Sequence, residues 1–214
     1  HRSPNFDARP DGLPVDMLVL HYTGMTSARA ALDRLCDPVA KVSAHYVIDE
    51  DGELTALVAE TARAWHAGAA CWRGNRDINA ASIGIELVNP GHEFGYRPFP
   101  EAQMTACEAL ALDILSRWPI TARNVVGHSD VAPERKADPG ELFDWARLAN
   151  AGIGLWPGHR PVAGEVGLRL GPQDGGAAVR DLQAALADYG YAVSIDGVYG
   201  EQTGCVVKAF QRHF

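Results

Sequence analysis

The sequence predicts an α/β (α+β) fold: a mixed central β-sheet flanked by helices, followed by a small all-α, three-helix domain. Three observations predict it. Short apolar runs of strand type alternate with amphipathic helical stretches from residue 16 to about residue 150, the pattern of a layered sheet-and-helix domain. Two of those runs flank Asp51-Gly52, a hairpin signal, so the sheet is not purely parallel. After the Pro- and Gly-rich stretch Trp156-Pro157-Gly158-His159-Arg160-Pro161 the strand patterns stop and only helical ones remain. The expected division is 1–155, a linker over 156–165, and a C-terminal domain over 166–214.

Residues 1–14, with Pro4, Pro10 and Pro14, read as an irregular lead-in. Residues 16–22 read as a buried strand ending in His21-Tyr22-Thr23-Gly24. Ser27 is placed to cap a helix through Leu35, with Ala28, Ala31, Leu32 and Leu35 at helical spacing. The hairpin follows over 44–49 and 54–58. Trp65-His66-Ala67-Gly68 sits in a loop of small residues. Ser82 to Val88 is a strand bounded by Asn89-Pro90-Gly91. Pro100 opens a helix to about Arg117, with Met104, Cys107, Ala111, Ile114, Leu115 and Trp118 on one face. Val125–Gly127 is the last strand, and a helix is expected over about 141–149. Past the linker, Val179, Leu182, Leu186 and Tyr189 mark one helix ending at Gly190. Val206, Val207 and Phe210 mark another.

Composition narrows the function classes. Apolar residues make up 47% and charged residues 21%, enough for a packed core and too ordered a mix for disorder. The net charge of −8 argues against a nucleic-acid binder, which needs a basic face. No apolar run approaches the ~18 residues of a membrane span. No basic segment followed by an apolar one opens the chain, which starts on His1 and so leaves the compartment open. The four cysteines have no C-x-x-C spacing, which argues against a thiolate metal site; Cys107 and Cys205 fall in helical patterns as small core residues.

The chemistry concentrates at strand ends. His128 follows the Val125–Gly127 run, and Asp138 stands ten positions later in a Pro-punctuated loop. His21 ends the first apolar strand. Two imidazoles and a carboxylate make a three-ligand set of the type catalytic zinc uses, with a fourth place for water. On spacing alone, a metal set and three separate hydrogen-bonding residues both fit. Glu86 ends the strand over 82–88, on the face of Gly84 and opposite Ile85. A carboxylate there loses solvation and gains the raised pKa of a general base; an ordinary salt-bridge acid fits as well. Lys136, one of three lysines, precedes Asp138 by two positions and is either an oxyanion partner or a solvated loop residue. His45 fits the core or a pocket wall equally. Trp65 and His66 suit the wall of a sugar or peptide pocket. His1, His92, His159 and His213 are expected to be exposed and inert.

With these residues in place, the chain resembles the zinc-dependent N-acetylmuramoyl-L-alanine amidases of the AmpD/AmiD type, whose fold is shared with phage-lysozyme-like amidases and peptidoglycan recognition proteins. The matching segments are Leu18-Val19-Leu20-His21-Tyr22-Thr23, Val42-Ser43-Ala44-His45-Tyr46-Val47-Ile48 and Ala64-Trp65-His66-Ala67-Gly68. Ser82-Ile83-Gly84-Ile85-Glu86-Leu87 and the stretch from Val126 to Gly140 complete them. The resemblance implies Zn2+ held by His21, His128 and Asp138, with Glu86 as base and Lys136 at the oxyanion. It implies His45, Trp65, His66 and Asn79 near the substrate, and cleavage between N-acetylmuramic acid and L-alanine of the stem peptide. Phage-type relatives have a Tyr where this chain has Ala44, which leaves the base role to Glu86. The family's cation for the stem-peptide carboxylate falls on Asp77, with Arg73 and Arg76 nearby.

Residues 166–214 resemble a peptidoglycan-binding domain, carried by Leu182-Gln183-Ala184-Ala185-Leu186, Tyr189-Gly190-Tyr191 and Asp196-Gly197-Val198-Tyr199-Gly200. A wall-binding domain implies peptidoglycan or muropeptides as partner, a place in the bacterial envelope, and a monomer. It also leads one to expect that removing residues 160–214 weakens wall binding yet spares turnover of small soluble muropeptides. The alternatives are a non-catalytic peptidoglycan recognition protein, whose mark is loss of the third ligand, and a purely structural wall anchor. Asp138 is present, which favours the enzyme.

Overall fold

A computed structural model describes residues 2–158 and 169–214. In chain order the elements are β1 (Phe6–Ala8), β2 (Met17–Tyr22), α1 (Ala28–Cys36), β3 (Tyr46–Ile48), β4 (Leu54–Ala56) and β5 (Ala62–Ala64). Then come α2 (Ile78–Ala81), β6 (Ser82–Leu87), α3 (Gly91–Phe94), α4 (Glu101–Arg117), β7 (Val125–Gly127), α5 (His128–Val131), α6 (Trp145–Asn150), α7 (Ala177–Tyr189) and α8 (Glu201–His213). Five strands form one sheet in the order β4-β3-β6-β2-β7, and β1 pairs with β5 in a separate two-stranded ribbon. The hairpin β3–β4 is antiparallel, while β3, β6, β2 and β7 run parallel, so the sheet is mixed as the sequence predicts.

Alternation along β2 and β6 divides the sheet into two faces. Leu18, Leu20, Ile83, Ile85 and Leu87 point to one core, where α4 adds Met104, Cys107, Ala111 and Ile114. Met17, Val19 and Val126 point to the other. His21 and Glu86 belong to this second face by the same alternation, and they stand opposite each other in the β2–β6 register. They therefore lie side by side at the C-terminal edge of the parallel strands, where His128 also begins α5. Crevices for ligands form at that edge in open parallel sheets.

Several elements depart from the sequence reading. The lead-in is not wholly irregular, because Phe6–Ala8 pairs with β5. All three residues are exposed, so the pairing rests on backbone bonds and leaves no apolar signal. The helix expected over 141–149 starts at Trp145, because Asp144 caps it by accepting from the Arg147 N–H. His128 lies on a one-turn helix, not in a loop. Residues 159–168, which hold most of the expected linker and the start of the C-terminal domain, lie outside the described residues. Among those described, the C-terminal domain contributes two helices, α7 and α8.

Those helices share a core with the five-stranded sheet. Leu186, Tyr191, Val206 and Ala209 pack with Met17, Val19, Trp72, Val126 and Val131. Trp72 meets Tyr191 edge to face at 5.1 Å, and His213 stacks on Trp145 at 3.8 Å. The polar centre of this junction is Asp130, 1% exposed, two positions beyond His128. Its carboxylate accepts from Tyr191 Oη at 2.6 Å, His213 Nδ1 at 2.7 Å and the Gly127 N–H at 2.7 Å. His213 is thus buried at 2% exposure and not the inert surface residue expected of it.

This junction revises the expected effect of deletion. Removing residues 160–214 would expose Trp72 and strip two donors from a buried carboxylate beside His128. The deletion is therefore expected to disturb the region around His128 and not only to remove α7 and α8. A point variant isolates the effect: Asp130→Ala leaves Tyr191 Oη and His213 Nδ1 buried without an acceptor. It should destabilise the full chain by about 2–4 kcal/mol in denaturant titrations, whereas a change under 1 kcal/mol would remove the clamp from this account.

Candidate metal centre

Strand β2 brings His21 to the C-terminal edge of the sheet at 1% exposure, and the β7–α5 junction brings His128 beside it at 3%. The chain then turns through Pro133 and returns to place Asp138 beside them at 5%. His21 Nδ1 lies 3.0 Å from His128 Nδ1, and each lies 3.0 Å from Asp138 Oδ2. The sequence reading named these three residues, and the structure brings them together within one small volume: their donor atoms all lie within 4.8 Å of one another.

The donor set fits a cation. His128 Nε2 faces the Ala67 carbonyl at 3.0 Å, and a carbonyl only accepts, so that nitrogen carries the proton. The guanidinium of Arg135 stands farther from the same nitrogen, at 3.4 Å. In the neutral form of His128, Nδ1 then presents a lone pair to the Asp138 carboxylate, and two acceptors with no hydrogen between them need a positive charge. Tetrahedral bonds of ~2.0–2.2 Å set neighbouring donors ~3.3–3.6 Å apart, close to the spacing seen.

The protonation states agree. Burial, helped by the nearby His128, lowers the His21 pKa to about 4. Burial would raise the Asp138 carboxyl, but positive charge and donated hydrogen bonds on the His128 and His21 side outweigh it and hold it well below the usual carboxylate range, the place a cation takes when both imidazoles are neutral. Neutral imidazole and ionised carboxylate are the forms that ligate metals.

A cleft of about 240 Å³ opens from this set, with Tyr22, Arg34, Trp65, Glu86 and Lys136 on its walls. Glu86 is half-buried, and its Oε2 has no hydrogen-bond partner among the described residues. Burial raises its pKa well above the ordinary value, and the Asp138 charge adds to the rise while Lys136 opposes it. Lys136 lines the same cleft. Arg34, which the sequence reading did not single out, sits on α1 and has no carboxylate partner among the described residues.

The remaining expected residues divide. Trp65 and His66 line the cleft. His66 is 8% exposed, with Nδ1 at 3.0 Å from His21 Nε2 and Nε2 at 3.1 Å from Ser82 Oγ. Burial, then the neighbouring His21, His45 and His128, keeps its pKa well below the usual value. His45 is fully buried away from the cleft: its Nδ1 accepts from the Gly84 N–H at 3.0 Å and its Nε2 faces the Ala62 carbonyl at 3.2 Å. Asn79 uses its Oδ1 to accept from the His66 and Ala67 N–H groups at 3.1 and 2.8 Å. Both hold backbone where a substrate contact was expected. Asp77 caps α2 and pairs with Arg63 at 2.8 Å, so it too is committed to structure, and Arg73 and Arg76 lie outside the cleft lining. His92, expected to be inert, bridges Tyr22 Oη at 3.0 Å and Glu141 at 3.1 Å on the cleft rim.

A buried His–His–Asp set beside an unpartnered carboxylate is the equipment of a hydrolytic metal site. The sequence profile of the N-acetylmuramoyl-L-alanine amidase family matches residues 11–141, and that of a putative peptidoglycan-binding domain matches 175–214. The chain belongs to the N-acetylmuramoyl-L-alanine amidase family. It is 40% identical to the amidase AmiD of Escherichia coli over 214 residues, covering 94% of this chain and 75% of that one. It is 35% identical to the 1,6-anhydro-N-acetylmuramyl-L-alanine amidase AmpD of Haemophilus influenzae, covering 70% and 89%. The solved complex of E. coli AmiD with anhydro-N-acetylmuramic acid-L-Ala-D-γ-Glu-L-Lys superposes with a TM-score of 0.80 at 38% identity, over 95% of this chain and 82% of that one. AmpDh3 of Pseudomonas aeruginosa gives 0.74 at 31% identity, over 100% and 89%.

The Glu86 environment sets a pH test on metal-free protein. A carboxyl whose folded pKa is raised stabilises fully below its unfolded pKa and loses that contribution as pH rises through the folded value. Glu86→Gln should therefore be more stable than the parent at neutral pH, with the advantage closing in acid. Melting curves of both across pH check this, and equal stability at pH 7 would mean that Glu86 carries no buried charge.

Proposed function

We propose that this chain is a zinc amidase that hydrolyses the bond between the lactyl group of N-acetylmuramic acid, or its anhydro form, and L-alanine of peptidoglycan stem peptides. The observation that carries the reading is Glu86 Oε2, buried and unpartnered on the wall of the cleft that His128 and Asp138 also line. An acceptor kept free of protein donors there is available to a water molecule.

His21 Nδ1, His128 Nδ1 and Asp138 Oδ2 would hold the ion. Zinc supplies Lewis acidity, withdrawing charge from a carbonyl oxygen and acidifying water. Glu86 takes a proton from the attacking water at Oε2 and returns it to the L-alanine nitrogen as the C–N bond breaks. Its raised pKa suits both transfers. The Lys136 ammonium faces the developing oxyanion from the cleft wall. Trp65 offers an indole face to sugar or peptide, and Arg34 a cation for a stem-peptide carboxylate.

The family match over 175–214 supports a peptidoglycan-binding role for α7 and α8. That role suits an enzyme of the bacterial envelope, held near its polymer. No described helix is long and apolar enough to cross a membrane.

Two variants test the reading together. Asp138→Ala should lose zinc, measured by atomic emission after dialysis, and lose release of L-alanine-headed peptides. Glu86→Gln should keep stoichiometric zinc but fall at least ~100-fold in rate. Retained zinc in the first would strike Asp138 from the ligands, and an undiminished rate in the second would dismiss Glu86 as the base.

A further inference from the structure

Three imidazoles crowd this centre, and only two are proposed as ligands. The third, His66, lies flat on β6: a Cβ built at Gly84 would stand 2.5 Å from its ring, so no other residue type leaves the ring room. Its two nitrogens are committed in a fixed sense. The chain of bonds starts at the Ile78 carbonyl, which only accepts. Ser82 spends its single hydroxyl proton there, at 2.5 Å. Ser82 Oγ must then accept from His66 Nε2–H at 3.1 Å. A neutral His66 has no second proton, so its Nδ1 accepts from His21 Nε2–H at 3.0 Å. His21 Nδ1 is left bare, aimed at Asp138 Oδ2.

We infer that His66 is a positioning residue for the metal centre: with Ser82 it locks His21 in the tautomer whose Nδ1 lone pair faces Asp138. The inference rests on the reading of His21 as a ligand. The neighbouring peptide does the same for the other imidazole, since the Ala67 carbonyl takes the His128 Nε2 proton. Asn79 Oδ1 holds both residues by their N–H groups. One segment, His66-Ala67, thus sets the donor atom of both histidines. A partner that fixes a ligand's tautomer also raises its basicity, and losing one costs ~10–100-fold in metal affinity.

The test uses the full chain. Nitrogen-15 spectra of the histidines in zinc-free protein should show His21 and His128 protonated at Nε2 and His66 also at Nε2. Ser82→Ala frees the His66 proton to move to Nδ1 and push His21 to the Nδ1–H form. Zinc affinity, read by chelator competition, should fall ~10–100-fold, and His66→Phe should weaken it similarly. A proton on His21 Nδ1 in the parent would overturn the inference. So would parental tautomers and zinc affinity in Ser82→Ala, even if its melting point drops, since a merely structural role predicts that drop alone. Failure of the parent to bind zinc would strike the ligand assignment instead, leaving the tautomer spectra to judge the relay.

Discussion

Three ligand-type atoms stand 3.0 Å from one another in a buried pocket, and with both imidazoles neutral and protonated on their far nitrogens all three are acceptors in need of a positive charge. A bare imidazole lone pair next to a carboxylate has no reason to stay unless a cation joins them. Ordinary folding would resolve the conflict by moving a proton onto Nδ1. Here the far nitrogens already have their protons claimed, one by the Ala67 carbonyl and one by His66. The pocket is thus organised for a positive charge before one arrives, which is how a site selects an ion by donor placement rather than by collapse around it.

The sheet makes this placement stiff. His21 and Glu86 are register partners on adjacent parallel strands, so the imidazole and the free carboxylate cannot drift apart without breaking the ladder. His128 gains its rigidity differently. It sits on a single turn of helix, too short to be stable alone. The Asp130 carboxylate two residues on is gripped by Tyr191 and His213 from the C-terminal helices. The region that matches a peptidoglycan-binding domain is therefore also part of the scaffold under the candidate metal centre.

Much of this was legible in the sequence. The apolar runs ending in His21 and Glu86 announce strands whose last residues turn polar, and the hairpin turn at Asp51-Gly52 fixes the mixed sheet. The Pro-bounded return from His128 to Asp138 announces a loop that comes back to its origin. What stayed hidden depends on partners brought in from far along the chain. Nothing in the sequence marks Asp130, because its Tyr191 and His213 partners lie 61 and 83 positions away. His45 and Asn79 sit in motifs that suggest a binding wall, yet their polar atoms close on backbone groups that only the folded strands supply. For His66, the readable sign was Gly84 inside an otherwise bulky apolar strand, a gap that another side chain must fill.

Anomalous diffraction at the zinc edge from crystals of the zinc-loaded chain tests the central claim most directly. The account expects one strong peak in the cleft, ~2.0–2.2 Å from His21 Nδ1, His128 Nδ1 and Asp138 Oδ2. No peak there, or a peak bonded to the Nε2 atoms, would contradict it.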